Sequence, residues 1–190
     1  MSTQGHDQCD FEGTTHALCA HAGEGRLRAS SFGIQARALN TANHRGYHMR
    51  YAVDESALRL RLREFQVTTD LRPEDAPRIG GRVSEREHSG LIYRDLDQPV
   101  SFTGGLLLGS GLRLGDPISI MPLPWNYERV LELLFEQGRL VDAFDRSGEL
   151  ERMRRDDLSF WAKNEDESFL AGLFNGFSIV YRPSVEDVIH

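Results

Sequence analysis

The chain has 190 residues, of which 27% are charged and 39% hydrophobic, and its formal net charge is −7. That length fits one domain able to remove roughly 70% of its unfolded surface from water. No apolar run nears the ~20 residues needed to cross a bilayer, and the polar start MSTQGHDQCD lacks the basic-then-apolar order of a signal peptide. A cytoplasmic protein with no membrane partner is the expectation.

The charge is uneven. Glu128 to His190 holds 14 acidic and 8 basic residues, so most of the negative excess lies in the last third. Phosphate binding needs clustered cations, which disfavours general nucleic-acid binding. A basic protein partner is favoured through electrostatic steering, with simple solubility as the plainer reading. Lys163 stands alone beside 21 arginines, a bias that reads as GC-rich codon use. Cys9 and Cys19 are too few for a disulfide framework.

Residues 1–15 are polar and without apolar periodicity, and read as a loosely ordered segment before a single domain over 16–190. Ala17–Ala20 and Leu27–Ile34 suggest two short strands joined at Gly23-Glu24-Gly25. The strongest pattern follows. Tyr47, Met49, Tyr51 and Val53 alternate with polar residues. After Asp54-Glu55-Ser56, Leu58, Leu60 and Leu62 alternate with Arg59, Arg61 and Arg63. A period of two places one set of side chains on each face of a strand, so this is a hairpin with an apolar and a cationic face. The step from Leu62 to Phe65 breaks the period, and a bulge at Arg63-Glu64 would restore Phe65 and Val67 to the apolar face.

Thr68–Gly90 reads as a long polar connection with short extended pieces near Arg78–Val83. Leu91–Tyr93 reads as strand, Asp95–Pro99 as a turn, and Phe102–Gly109 as a buried strand. Gly115-Asp116-Pro117 marks a turn before a short strand at Ile118–Met121. Tyr127–Asp145 reads as a hairpin turning at Glu136-Gln137-Gly138, with an amphipathic helix as the alternative. Ser147 is placed as the N-cap of a helix running to about Asp157. Phe160 and Trp161 read as core, Phe169–Phe174 as a helical turn or two, and Phe177–Tyr181 as the last strand. The expected core is Tyr47, Met49, Tyr51, Leu58, Leu60, Leu62, Phe65, Phe102, Leu106, Leu108, Leu133, Phe135, Leu140, Phe144 and Trp161.

Three groups of residues carry candidate chemistry. His6-x2-Cys9 and His16-x2-Cys19, with His21 nearby, have paired N/S spacing that weakly suits zinc, with Cys9, His16, Cys19 and His21 as the candidate ligands, but the gap from Cys9 to His16 is short for ordinary fingers. Without metal, Cys19 is a small buried apolar group. Arg50, Arg59, Arg61 and Arg63 form the cationic face. Like charges facing each other destabilise a sheet, so nearby carboxylates, or an anionic ligand, must offset them. Asp95 and Asp97 are spaced for a turn or for acid–base work. Thr103-Gly104-Gly105 allows close backbone approach to another chain or ligand. No nucleophile elbow, phosphate loop, H-E-x-x-H or dinucleotide fingerprint occurs. No cofactor is expected, and catalysis would require a dispersed site gathering His44 with Asp95 or Asp97.

His44-Arg45-Gly46-Tyr47, the run Pro99-x-x-Phe102-Thr103-Gly104-Gly105-Leu106-Leu107-Leu108-Gly109 and Glu136-Gln137-Gly138-Arg139-Leu140 together resemble a scattered family of uncharacterised β-rich bacterial proteins, over about residues 27–150. Some small acidic bacterial proteins of this kind are similar to immunity proteins, which bind and block a toxin made by the same cell. The resemblance implies toxin neutralisation and assigns no residue a role. His44 stands where the pattern has an aromatic residue. The expected fold is α+β: a mostly antiparallel twisted sheet or partly closed barrel with one or two flanking helices. The expected function is non-catalytic binding of a basic partner, with a small-ligand or metal-binding β domain as the alternative.

Overall fold

The structure, a computed structural model, describes residues 7–25, 27–38, 45–88, 90–113, 122–155, 177–178 and 182–183. In chain order its elements are β1 (Gln8–Phe11), β2 (Thr14–Glu24), β3 (Tyr47–Asp54), β4 (Arg59–Thr68), β5 (Glu85–Glu87), β6 (Gly90–Tyr93), β7 (Gln98–Pro99), β8 (Thr103–Leu112), β9 (Tyr127–Glu136), β10 (Arg139–Asp145), α1 (Ser147–Arg155) and β11 (Arg182–Pro183). The strands form one sheet in the order β10-β9-β8-β2-β1-β3-β4-β6-β5, with β7 beside β4 and β11 beside β2. All pairings are antiparallel except β1 with β3, so the sheet is mixed.

The central hairpin folds as its alternation requires. Register pairs Arg50 with Glu64 but Tyr51 with Leu62, leaving Arg63 as the extra residue of a bulge. That shift keeps Leu60, Leu62, Phe65 and Val67 all buried. Leu58 departs from expectation. It falls in the turn at φ +51° and is 41% exposed, so it belongs to the chain reversal rather than the core. The Asp54 carboxylate holds that reversal by accepting the N–H groups of Ser56 and Ala57 at 2.9 and 3.0 Å.

Residues 127–145 form the hairpin and not the helix. Gln137 and Gly138 both take positive φ, as a two-residue hairpin turn in a right-twisted ribbon demands. A Cβ on Gly138 would stand 2.0 Å from the Val100 carbonyl oxygen, so the turn needs glycine twice over. Leu140 is half-buried against the core, and Phe144 is half-buried beneath the Arg146 guanidinium.

The N-terminal region is more regular than its composition suggests. Residues 8–15, expected to be loose, form β1 and the start of β2 around a Glu12-Gly13 turn. The strand expected at 17–20 is an 11-residue strand, and Gly23 and Glu24 pair with β8 instead of turning. Leu27–Ile34 is not a strand; Ala29–Phe32 is one 3-10 turn that buries Ala29 and Ile34.

The sheet curls until Arg139 of β10 pairs with Arg59 of β4, supported by the Leu60 N–H to Gly138 and Leu140 N–H to Leu58 backbone bonds. It is therefore partly ring-like but not the barrel that was one form of the expectation: β10 runs on past this short contact. Its edge is blunted by a bulge between Leu140 and Asp142 and by the Asp142 carboxylate, which accepts the Ala143 N–H. The curled sheet wraps a core around Phe65, Tyr93, Phe102, Met49 and Leu62. A smaller cluster on the opposite face joins Cys19, Leu107, Val130 and Leu150 of α1.

One helix, α1, flanks the sheet among the described residues. Ser147 does not cap it. The Asp145 carboxylate accepts the Ser147 N–H at 3.0 Å, while Ser147 Oγ donates to Asp145 and accepts the Val130 N–H at 3.1 Å. No helix among the described residues is long and apolar enough to cross a membrane. Phe177 and Ser178 form a bend, residues 179–181 of the expected last strand lie outside the described residues, and the last pairing among those described is at Arg182–Pro183. The expectations at 115–121, 160–161 and 169–174, and at His6 and His44, lie outside the described residues.

Candidate functional site

The outer face of β1, β3 and β4 meets the 94–97 loop in an open groove of about 480 Å³ lined by Asp10, Arg50, Arg63, Glu64, Arg82, Arg94, Asp95, Leu96 and Asp97. The bulge makes this possible. Because Arg63 is the extra residue, adjacent Arg63 and Glu64 both reach the groove instead of alternating across the sheet. The loop is anchored by Leu96, 1% exposed, whose N–H donates to the Arg63 carbonyl at 2.9 Å. Asp95, with φ +52°, and Asp97 project on either side of that anchor into solvent.

The arginines are matched within the fold. Arg50 grips Asp10 with two bonds of 2.9 and 3.1 Å, and Thr15 donates to the same carboxylate at 2.6 Å. Hydrogen bonding to Asp10 pushes the Arg50 pKa further up. Arg63 and Arg61 share Asp97 at 2.7 and 3.3 Å. Arg94 spans Glu85, at 2.8 Å, and Glu87. Arg82 donates through Nε to the Asp95 carbonyl at 3.2 Å.

Of the sequence candidates, then, Arg50, Arg63, Asp95 and Asp97 come together, with Arg61 at the edge on Asp97. Arg59 and Thr103 lie elsewhere and serve the β9–β10 turn: the Arg59 guanidinium donates to the Gln137 carbonyl, and Thr103 Oγ1 accepts the Gln137 N–H at 3.0 Å. Like-charge opposition across β3 and β4 does not arise, because Arg50 faces Glu64 and Arg59 faces Asp54. Four guanidiniums and four carboxylates line the groove, so it is charge-compensated rather than a cationic patch. Asp10, Glu64, Arg82 and Arg94 escaped the sequence reading. The bulge was the available signal for Glu64; the partners of the others are brought in by topology. Gly104 approaches β2 of its own sheet: a Cβ there would lie 2.0 Å from the Ala22 carbonyl oxygen.

The Cys/His set is dispersed. Cys9 and His16 are cross-strand partners facing the main core, while Cys19, the bulge residue of β2, packs into the opposite cluster. Among the described residues no three His, Cys, Asp or Glu side chains gather as a metal site. Burial pushes both thiols far above the usual cysteine range.

Two buried ion pairs were not foreseen. Asp7 binds Arg45 and the Met49 N–H, the carboxylate and guanidinium being 1% and 7% exposed. Glu132, fully buried on the outer face of β9, accepts two bonds from Arg146 at 2.8 and 2.7 Å and one from the Ser178 N–H at 3.0 Å. Arg146 is further covered by the Phe144 and Phe177 rings.

This inward turn of arginine shapes the C-terminal surface. Arg146 and Arg154 are only 14% and 8% exposed, whereas Asp145 and Glu151 are 54% and 45% exposed. Glu136 and Asp142 also face solvent. No family model, curated protein or solved structure matches the chain.

Proposed function

We propose that the chain is a non-catalytic binding protein that meets a basic protein partner through the acidic surface of β9, β10 and α1. The withdrawal of Arg154 supports this reading, since Arg146 is withdrawn together with its partner Glu132: Glu128, Glu136, Asp142 and Asp145 stay exposed against Arg129, Arg139 and Arg152. Exposed carboxylates attract a basic partner over about a Debye length, ~8 Å at physiological salt. The likeness to immunity proteins makes a toxin the leading partner class. Small-ligand binding is the second reading, with the compensated groove as its site.

The test is capture of partners from the native host at low salt by the wild-type protein and by a Glu136→Lys/Asp142→Lys variant. Both positions are exposed. A basic protein that binds at least about tenfold more weakly to the variant, and more weakly as salt rises, supports the proposal. Capture that is indifferent to both changes overturns it.

A further inference from the structure

The side chain of His16 is the odd group inside the sheet. It is 1% exposed, faces Cys9 across β1–β2, and neither ring nitrogen makes a hydrogen bond of good geometry. Buried polar groups are normally satisfied. The ring is also beside a short joint in the sheet. β1 is four residues long and meets β3 over three register pairs, the one parallel contact, and parallel pairing is slightly weaker per residue. Cys9 is central to that contact, opposite Tyr51.

We propose that His16 is an acid-sensitive latch: protonation of its ring releases β1 from β3 and opens the curled sheet at its parallel seam. A charged imidazolium cannot stay in an apolar interior without water or a carboxylate. Moving β1 outward lets water reach the ring.

The charges around the ring are few. From β1 it faces Cys9, with the charge of Asp10 acting from the outer face of the same strand; from the turn comes Glu12, and from β9 Arg129, which is itself held by Glu12 at 3.7 Å and by Asp145 of β10 at 3.5 Å. β8 brings Gly109, opposite Ala17, and no charge. The Phe11 carbonyl and the two acids favour the protonated ring; burial and Arg129 oppose it, and burial is the largest effect, so the pKa is lowered. A histidine with a lowered folded-state pKa leaves stability intact above the exposed value of about 6.5. That stability is lost as pH falls from there toward the folded value. Over that window, opening grows by up to about tenfold per pH unit.

Hydrogen exchange on the intact chain tests this. Between pH 7 and pH 5, protection factors corrected for intrinsic rates should fall about tenfold or more for the amides of β1, and much less for those of β9. His16→Leu should hold β1 protection level with pH. His48→Gln, which removes the half-buried histidine of β3 near Asp7 and Arg45, should leave the fall in place. Equal loss in β1 and β9, or loss that persists in His16→Leu, overturns the latch. If His16→Leu fails to fold, the wild-type ring protons are followed by NMR. Titration below the ordinary histidine value, in step with β1 opening, supports the latch, and titration at the ordinary value refutes it.

Discussion

Removing the Glu132 carboxylate should be among the costliest single changes in this protein. Glu132→Ala deletes the acceptor for Arg146 Nε and Nη2 and for the Ser178 N–H and Oγ. Arg146 would stay 14% exposed, under two aromatic rings, with Glu149 at 3.3 Å as its remaining carboxylate. Breaking a buried pair by deleting one member costs about 3–5 kcal/mol, a third or more of the stability of many domains. Glu132→Gln keeps the shape and one acceptor, and should cost about 1.5–3 kcal/mol, the usual worth of bonds to a charged group. Glu132→Leu/Arg146→Leu removes both charges and should recover most of the loss. The assay is urea unfolding, read as a midpoint shift at unchanged slope, with wild type, Glu132→Leu, Arg146→Leu and the double variant assembled as a double-mutant cycle and Glu132→Ala and Glu132→Gln measured alongside. A Glu132→Ala shift worth less than about 1 kcal/mol would refute the buried-pair argument. So would a double variant as unstable as the sum of its parts.

Gly104→Ala should destabilise by about 2–4 kcal/mol, because its backbone is at φ +143° and the new methyl would meet the Ala22 carbonyl oxygen. Gly148→Ala, in α1 with open space around it, should instead raise the melting temperature slightly, by up to about 1 kcal/mol of helix propensity. Thermal melts of the pair decide both. Asp97→Asn should change unfolding free energy by less than about 1 kcal/mol, since its carboxylate is 63% exposed and its two arginine bonds are screened; a larger loss in urea would show the groove to be structural. Leu58→Gly should be neutral or stabilising by about 1 kcal/mol in the same assay, since it relieves a left-handed conformation at an exposed turn.

Where hydrophobic period and turn chemistry agree, the fold was legible from the residues. The 47–67 hairpin, its bulge, the 103–112 strand and the 127–145 ribbon each carry both signals. β2 was read short because its bulge at Cys19 and burial on both faces erase alternation, leaving a run of small residues. Leu58 was misplaced because period counting cannot see where a turn ends. The candidate site was half legible for a different reason. Arg50, Arg63, Asp95 and Asp97 announce themselves locally, but Arg50 finds Asp10 forty residues away, and only the β1–β3 pairing brings that carboxylate in. Charge partners are set by topology, which composition does not encode.

The placement of β1 between β2 and β3 has a consequence for synthesis. The β1–β2 hairpin leaves the ribosome before both of its neighbours and cannot dock at once. One flank waits for residues 50–52 and the other for β8, nearly ninety residues downstream. Until then its apolar side chains and open backbone edges stand bare, the situation in which nascent chains are most prone to mispair or to need a chaperone.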